Sequence, residues 1–434
     1  FPEILESIAR ERAASGDLLA ADGAFDLVFK ADGFDRATGF WTGAILNTEL
    51  RQNLRSNGGQ VYGGYRVSDG TFPIYEDINF TNNGGEFKVG VLFSLLRDRS
   101  FDQRRFRVED ARFAQRQASL DVILTQIGVQ QQALNAYWRW VATGQELKIY
   151  RELLQIAENR NTGLEEQVSK GALPTIALTE NMQNIIRRQI LVAEAERSFA
   201  VAANSLSFYF RDSAGDLLTP DDQKLPEHSN MSDLASIDSI LLSDPSSVLL
   251  NRPELASLRV AIPRAQNKVR LSKNDLQPNL DFNIELSRDL GRVAEGGLSR
   301  DSTDTVIGFK FSVPIQRRGA RGRLQRAEAE LRAARLRENR IADQISIELN
   351  NILISLTTAL KLSTLATDEV TQSNAMVVAE QKKFDLGASD FFLVNIREER
   401  AADAEIRAIR AVLNWNLAKT SYQAATMNMP ALGL

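Results

Sequence analysis

The chain has 434 residues with 52 Lys+Arg against 56 Asp+Glu, a formal net charge of -4 that argues against a generally basic nucleic-acid binder. It has no cysteine and a single histidine, which excludes disulfides, thiolate metal sites and any two-histidine zinc motif. Mean hydropathy is -0.24, and no uninterrupted apolar stretch approaches the ~18 residues of a membrane helix, although alternating barrel strands leave such averages unremarkable.

No leader-like pattern is visible at Phe1, which is compatible with a cytoplasmic, an already processed or a trimmed chain. Residues 2 to 22 read as a helix. A Gly/Asn/Tyr-rich stretch over 31 to 86 follows, carrying Trp41, Tyr62 and Tyr65, aromatics suited to a membrane-interface girdle, an extracellular loop or ordinary packing. In 87 to 95, Phe87, Val89, Val91, Phe93 and Leu95 alternate against Lys88, Gly90 and Ser94, the period of two that gives a strand one apolar and one polar face. Residues 101 to 168 read as one long helix, with Leu120, Leu124, Ile127, Leu134, Trp138 and Val141 at steps of three and four. Gly171 and Pro174 mark a turn, because glycine permits positive φ and proline suits a helix opening. A second helix over 175 to 210 carries Leu178, Met182, Ile185, Val192, Phe199, Ala203 and Leu206 at the same spacing.

The Asp/Ser/Pro/Leu-rich segment 211 to 250 reads as a linker with short elements. His228 lies there in LPEHSNMSD, a loop-like context with no catalytic role. A helix over 253 to 276 contains Pro263, which is placed to kink it. Two strands follow within 280 to 314. Leu280, Phe282, Ile284 and Leu286 oppose Asp281, Asn283, Glu285 and Ser287, and Ile307, Phe309, Phe311 and Val313 oppose Gly308, Lys310 and Ser312. The basic cluster Arg317, Arg318, Arg321, Arg323 and Arg326 reads as a solvated face where strand turns into helix, since phosphate binding normally shows a broader basic surface. From Arg323 to Leu386 there is neither Gly nor Pro, so 320 to 425 reads as a second long helical hairpin turning at Gly387.

These elements form a repeat. GVLFSLLRDRSFDQRRFRVEDAR from Gly90 resembles GFKFSVPIQRRGARGRLQRAEAE from Gly308, an offset of 218 residues. KGALPTIALTEN from Lys170 resembles LGASDFFLVNIR from Leu386 at an offset of 216. FPEILESIARER from Phe1 resembles NRPELASLRVAI from Asn251, matching Pro2 to Pro253 and Glu3 to Glu254, an offset of 251 that puts a surplus of about 35 residues into 31 to 86 of the first copy. Residues 1–217 and 218–434 are thus expected to be two structural repeats, each with a helix, two strands and a long helical hairpin: 25–96 and 101–210 in the first, 280–314 and 320–425 in the second. Enzyme motifs (GxSxG, P-loop, Rossmann fingerprint) are absent from the sequence. The main soluble alternative is a long-helix periplasmic adaptor or scaffold with a small β domain.

The duplication, the order helix–strand–strand–long helix–turn–helix, the junction GFKFSVPIQRRGARGRLQRAEAE and the hairpin KKFDLGASDFFLVNIREERAADAEI together resemble the TolC-type outer-membrane channel family. The resemblance implies an α+β membrane protein, mostly α, in which four strands per chain build a twelve-stranded barrel in a homotrimer. It further implies an exit duct of an efflux pump or type I secretion system, extending from the outer membrane into the periplasm and performing no catalysis. Its partners would be outer-membrane lipid, a periplasmic adaptor and an inner-membrane transporter, with no nucleic acid, metal or cofactor. On that pattern Gly171, Pro174, Gly387 and Ser389 form the tips that receive the adaptor. Gln183, Asn184, Asp385, Asp390 and Asn395 are candidates to narrow the pore, and Asp281, Asn283, Glu285 and Lys310 to line the barrel lumen. The second tip departs from the gating pattern of some members, with Phe384 where a tyrosine is expected and Ser389 where an arginine can occur.

Overall fold

The computed structural model describes residues 1–226, 252–293 and 300–434. His228 and residues 227–250 of the expected linker lie outside the described residues. The chain divides into two compact units, each drawn from both halves of the sequence. One comprises Ile8–Asp121 and Ala256–Arg340, the other Phe1–Ser7, Val122–Leu255 and Ile341–Leu434.

The first unit is built on a six-stranded antiparallel sheet in the order β1-β2-β3-β4-β5-β6. Its strands are β1 (Leu27–Arg36), β2 (Gly43–Asn53), β3 (Gln60–Gly70), β4 (Glu86–Ser94), β5 (Asn279–Asp289) and β6 (Thr303–Ser312). Helix α1 (Pro2–Asp22) precedes β1, and α4 (Pro253–Asn274) precedes β5. The expectation of four strands per chain is therefore corrected to six. The surplus of the first repeat supplies the extra hairpin. Its alternation is hard to read because β1 carries Asp32, Gly33 and Asp35 and β3 carries Gly63 and Gly64, residues of low strand propensity. Pairing supplies what propensity lacks, with Leu27 to Arg36 of β1 laddered against Gln52 to Gly43 of β2. Pro263 sits inside α4 without ending it.

Two long helices contribute to both units: α2 (Gln103–Ser169) and α5 (Arg318–Asp385). The other unit adds α3 (Ile176–Ser207), α6 (Phe391–Ala425) and the short α7 (Met429–Leu432). Its core lies between helices. Trp140, Val141 and Leu147 of α2 meet Ala195, Phe199, Ala203 and Leu206 of α3 and Val412 of α6. Leu356 and Ala359 of α5 meet Trp415 and Tyr422 of α6. Alanines such as Ala157 and Ala404, both fully buried, let helix backbones approach closely. The seam of α3 differs from the expected one. Met182 is 47% exposed, while Asn181, Ile185, Arg188, Ala195, Phe199, Ala203 and Leu206 are buried. The three-and-four spacing was right, but two of its places are filled by polar residues that a purely apolar reading passes over.

Candidate channel wall and helix turns

The pairing register assigns every strand residue to one of two faces. Phe309 lies opposite Phe282, Phe282 opposite Phe93, and Ile284 opposite both Ile307 and Val91. Val91 lies opposite Val61, and Leu50 opposite Gly63 and Phe29. Residues directly opposite share a face, so one face is apolar from β1 to β6. On the edge strands its side chains are bare in the isolated chain: Phe309 is 81% exposed and Phe29 64%.

The other face is polar, and its groups bond across strands. Asp281 lies opposite Lys310 and Asn283 opposite Gly308, so the four residues expected in the lumen, Asp281, Asn283, Glu285 and Lys310, do share one face. The Ser94 hydroxyl donates to Asp281 at 2.9 Å, the Tyr62 hydroxyl to Glu285 at 2.6 Å, and Arg66 pairs with Glu86 at 2.6 Å. Two glycines make room on this face. A Cβ at Gly90 would come within 2.3 Å of the Tyr62 ring, and one at Gly308 within 2.3 Å of Asn283 Oδ1. Tyr62 therefore belongs to the polar face, whereas Tyr65 packs at a tilt against Phe87 of the apolar face, 4.7 Å between centroids. Trp41 is buried in the β1–β2 loop between Phe34 and Phe72, with Arg36 over its ring at 4.2 Å. A sheet of this kind presents one side to hydrocarbon and the other to water.

The two helix turns are built alike. Gly171 and Gly387 are left-handed, with φ of 73° and 72°. Ala172 N–H donates to Gln167 O at 2.9 Å, and Ala388 N–H to Lys383 O at 2.8 Å. Each is the six-to-one bond of a glycine-terminated helix. The return helices start differently. Asp390 caps α6 by accepting from Leu393 N–H at 2.8 Å. Pro174 stands two residues before α3, where its carbonyl accepts from Ala177 N–H at 3.0 Å, so it precedes the helix rather than opening it. Ser389 donates to Glu380 at 2.6 Å, tying the second turn to the end of α5. Among the residues proposed to narrow a pore, Gln183, Asp385 and Asp390 are exposed and Asn184 half-buried. Asp385 accepts from Gln381 of its own helix at 2.9 Å. Asn395 is buried and accepts from Arg160 at 2.8 Å, so its side chain is engaged between helices.

Asn395 belongs to a cluster that sequence reasoning missed. Glu398 of α6 bonds Arg160 of α2 and, at 3.2 Å, Arg188 of α3. Arg188 is 1% exposed and also donates to Leu153 O at 2.6 Å. Burial pushes its guanidinium below the ordinary value, against the opposing pull of Glu398. The available signal was Arg188 itself, three residues after Ile185 and four before Val192 in an apolar seam. Three arginines of the basic cluster are bound locally: Arg317 donates to Leu276 O at 3.1 Å, Arg323 pairs with Asp275 at 2.9 Å and Arg326 with Glu330 at 2.8 Å. Among the described residues, no group of side chains is arranged to hold a metal ion, and no helix is long and apolar enough to cross a membrane.

Residues 245–427 match the sequence profile of the family described as outer membrane efflux protein. Comparison with curated proteins gives no match. Solved structures share the fold. The outer-membrane channel OprN superimposes with a TM-score of 0.67 at 14% identity, over 98% of this chain and 86% of that one. VceC, an outer membrane protein of Vibrio cholerae, gives 0.66 at 14% identity over 98% and 92%. The CmeC outer membrane channel of Campylobacter jejuni gives 0.65 at 13% identity over 98% and 82%. The family profile thus matches the second half of the chain, and the chain as a whole shares the fold of the outer-membrane channel OprN and of VceC.

Proposed function

We propose that this chain is a passive exit duct of the bacterial outer membrane. Three copies close their sheets into a barrel in the membrane, and their helical hairpins extend into the periplasm. The observation that carries this reading is the two-faced sheet, whose apolar side is covered by no other element among the described residues and whose polar side holds Asp281, Asn283, Glu285 and Lys310. A soluble scaffold would have to leave that apolar face in water, at ~25 cal/mol per Å².

The duct works as the outer part of a tripartite efflux pump or type I secretion system. The two glycine turns form the periplasmic tips, with Gly171, Pro174, Gly387 and Ser389 at the surface that receives an adaptor, and an inner-membrane transporter supplies the energy. Gln183, Asn184, Asp385 and Asp390 set the width and charge of the entrance, with Asn395 holding the helices behind it. Residues 1–217 and 218–434 are the two copies of one duplicated unit, a reading supported by the matching terminations at Gly171 and Gly387. Mass measurement in detergent and conductance in planar bilayers test the proposal. Trimers that conduct support it, and a water-soluble monomer without conductance overturns it.

A further inference from the structure

We propose that each copy contributes all six strands to the barrel wall, and that β6 of one copy pairs with β1 of the next. The wall then holds eighteen strands, three copies of six, where four strands per chain would give twelve. The inference rests on the trimeric reading above.

The first support is continuity. β1 and β2 share a ladder of ten residue pairs, as do β5 and β6, and β2 and β3 share eleven. The β1–β2 hairpin is tied to the sheet as fully as the β5–β6 hairpin, so nothing in the ladder marks it as an appendage. The apolar face also continues across it, through Leu50 and Phe29.

The second support is the state of the edges. All ten residues of β1 are exposed and nine of the ten in β6. An edge of unpaired N–H and C=O groups cannot stand in hydrocarbon, where each costs several kcal/mol, so each edge must meet another strand. The strand that fits is the opposite edge of a second copy. Both edge strands have ten residues, and five successive antiparallel pairings leave β1 and β6 antiparallel to each other. Rotation about a barrel axis brings them together without breaking the alternation. The faces impose a further match. Phe29 and Ala31 of β1 and Ile307, Phe309 and Phe311 of β6 point to the apolar side. Odd-numbered residues of one edge must therefore lie opposite odd-numbered residues of the other, since a slip by one would turn every side chain over. Diameter grows roughly linearly with strand number, so this wall encloses a lumen roughly half as wide again as a twelve-stranded one.

The natural absence of cysteine makes the test direct. Val306→Cys on β6 is combined in turn with Lys30→Cys, Asp32→Cys or Phe34→Cys on β1, and in a parallel set with Gly64→Cys or Arg66→Cys on β3. All of these lie on the polar face. Oxidised in the outer membrane and run on a denaturing gel, a β1 combination yields covalent dimers and trimers, while single-cysteine chains and β3 combinations stay monomeric. Cross-links to β3, or none to β1 in a trimer that conducts, overturn the inference while leaving the duct reading intact. A chain without trimers in detergent overturns the duct reading instead. Imaging the unmodified detergent-solubilised particle across its barrel gives the independent count, eighteen against twelve.

Discussion

Glu398 shows how much rests on single polar side chains in the helical unit. It meets two guanidiniums, one of them on Arg188, which is almost wholly removed from water. Removing the carboxylate leaves the buried Arg188 guanidinium without its ion-pair partner, so Glu398→Ala is expected to destabilise the folded protein by about 3 kcal/mol. Denaturant titration of the detergent-solubilised protein measures this, and an unchanged midpoint would show that the cluster is solvated after all. Gly90 makes the complementary point on the sheet. A methyl group there meets the Tyr62 ring, so Gly90→Ala should cost on the order of 1–3 kcal/mol by overpacking. Tyr62→Ala in the same chain should recover most of it, a coupling that additive, independent sites would not show. Neither partner was legible in the sequence. Apolar spacing identifies where a seam runs, but only the fold reveals that Arg188 occupies it with a carboxylate from a helix some 200 residues away.

At the scale of elements, legibility follows the strength of the period. Strands β4, β5 and β6, the three- and four-residue steps of α2 and both glycine turns could be read directly, because alternation, spacing and turn residues are each plain in the sequence. β1 to β3 could not be separated into strands, since glycine and acidic residues break the alternation and only the paired ladder restores it. The faces predict an asymmetry between neighbours in β6. Phe309→Arg puts a charge on the apolar face and should reduce insertion by about 2–4 kcal/mol if it lies near mid-bilayer, whereas Lys310→Arg, on the polar face, should leave it unchanged. Folding titrations into lipid vesicles measure both, and equal effects would contradict the face assignment. The turns predict a smaller, local effect. Gly387→Ala carries a side chain into φ of 72° and should cost ~1–2 kcal/mol, visible as faster proteolytic nicking at the hairpin end with the sheet unaffected.

For the whole molecule, the proposed duct takes its ion preference from the polar face. Lys310 lies opposite Asp281, so Lys310→Glu removes the cation from that pair and repeats the added negative charge in every copy. The reversal potential in a salt gradient should move towards cations, and no movement would place this face away from the ion path. The order of the strands has a consequence of another kind, for the timetable of assembly. β1 to β4 can zip up in the order in which the ribosome delivers them, each against its predecessor. The next ladder step joins Ser94 to Asp281, and the chain must be made through more than 180 further residues before it can form. Until then the unfinished sheet carries its full apolar side and an open β4 edge. The nascent chain thus spends about half of its synthesis with an open β4 edge, and it is the last hairpin, β5–β6, that covers it.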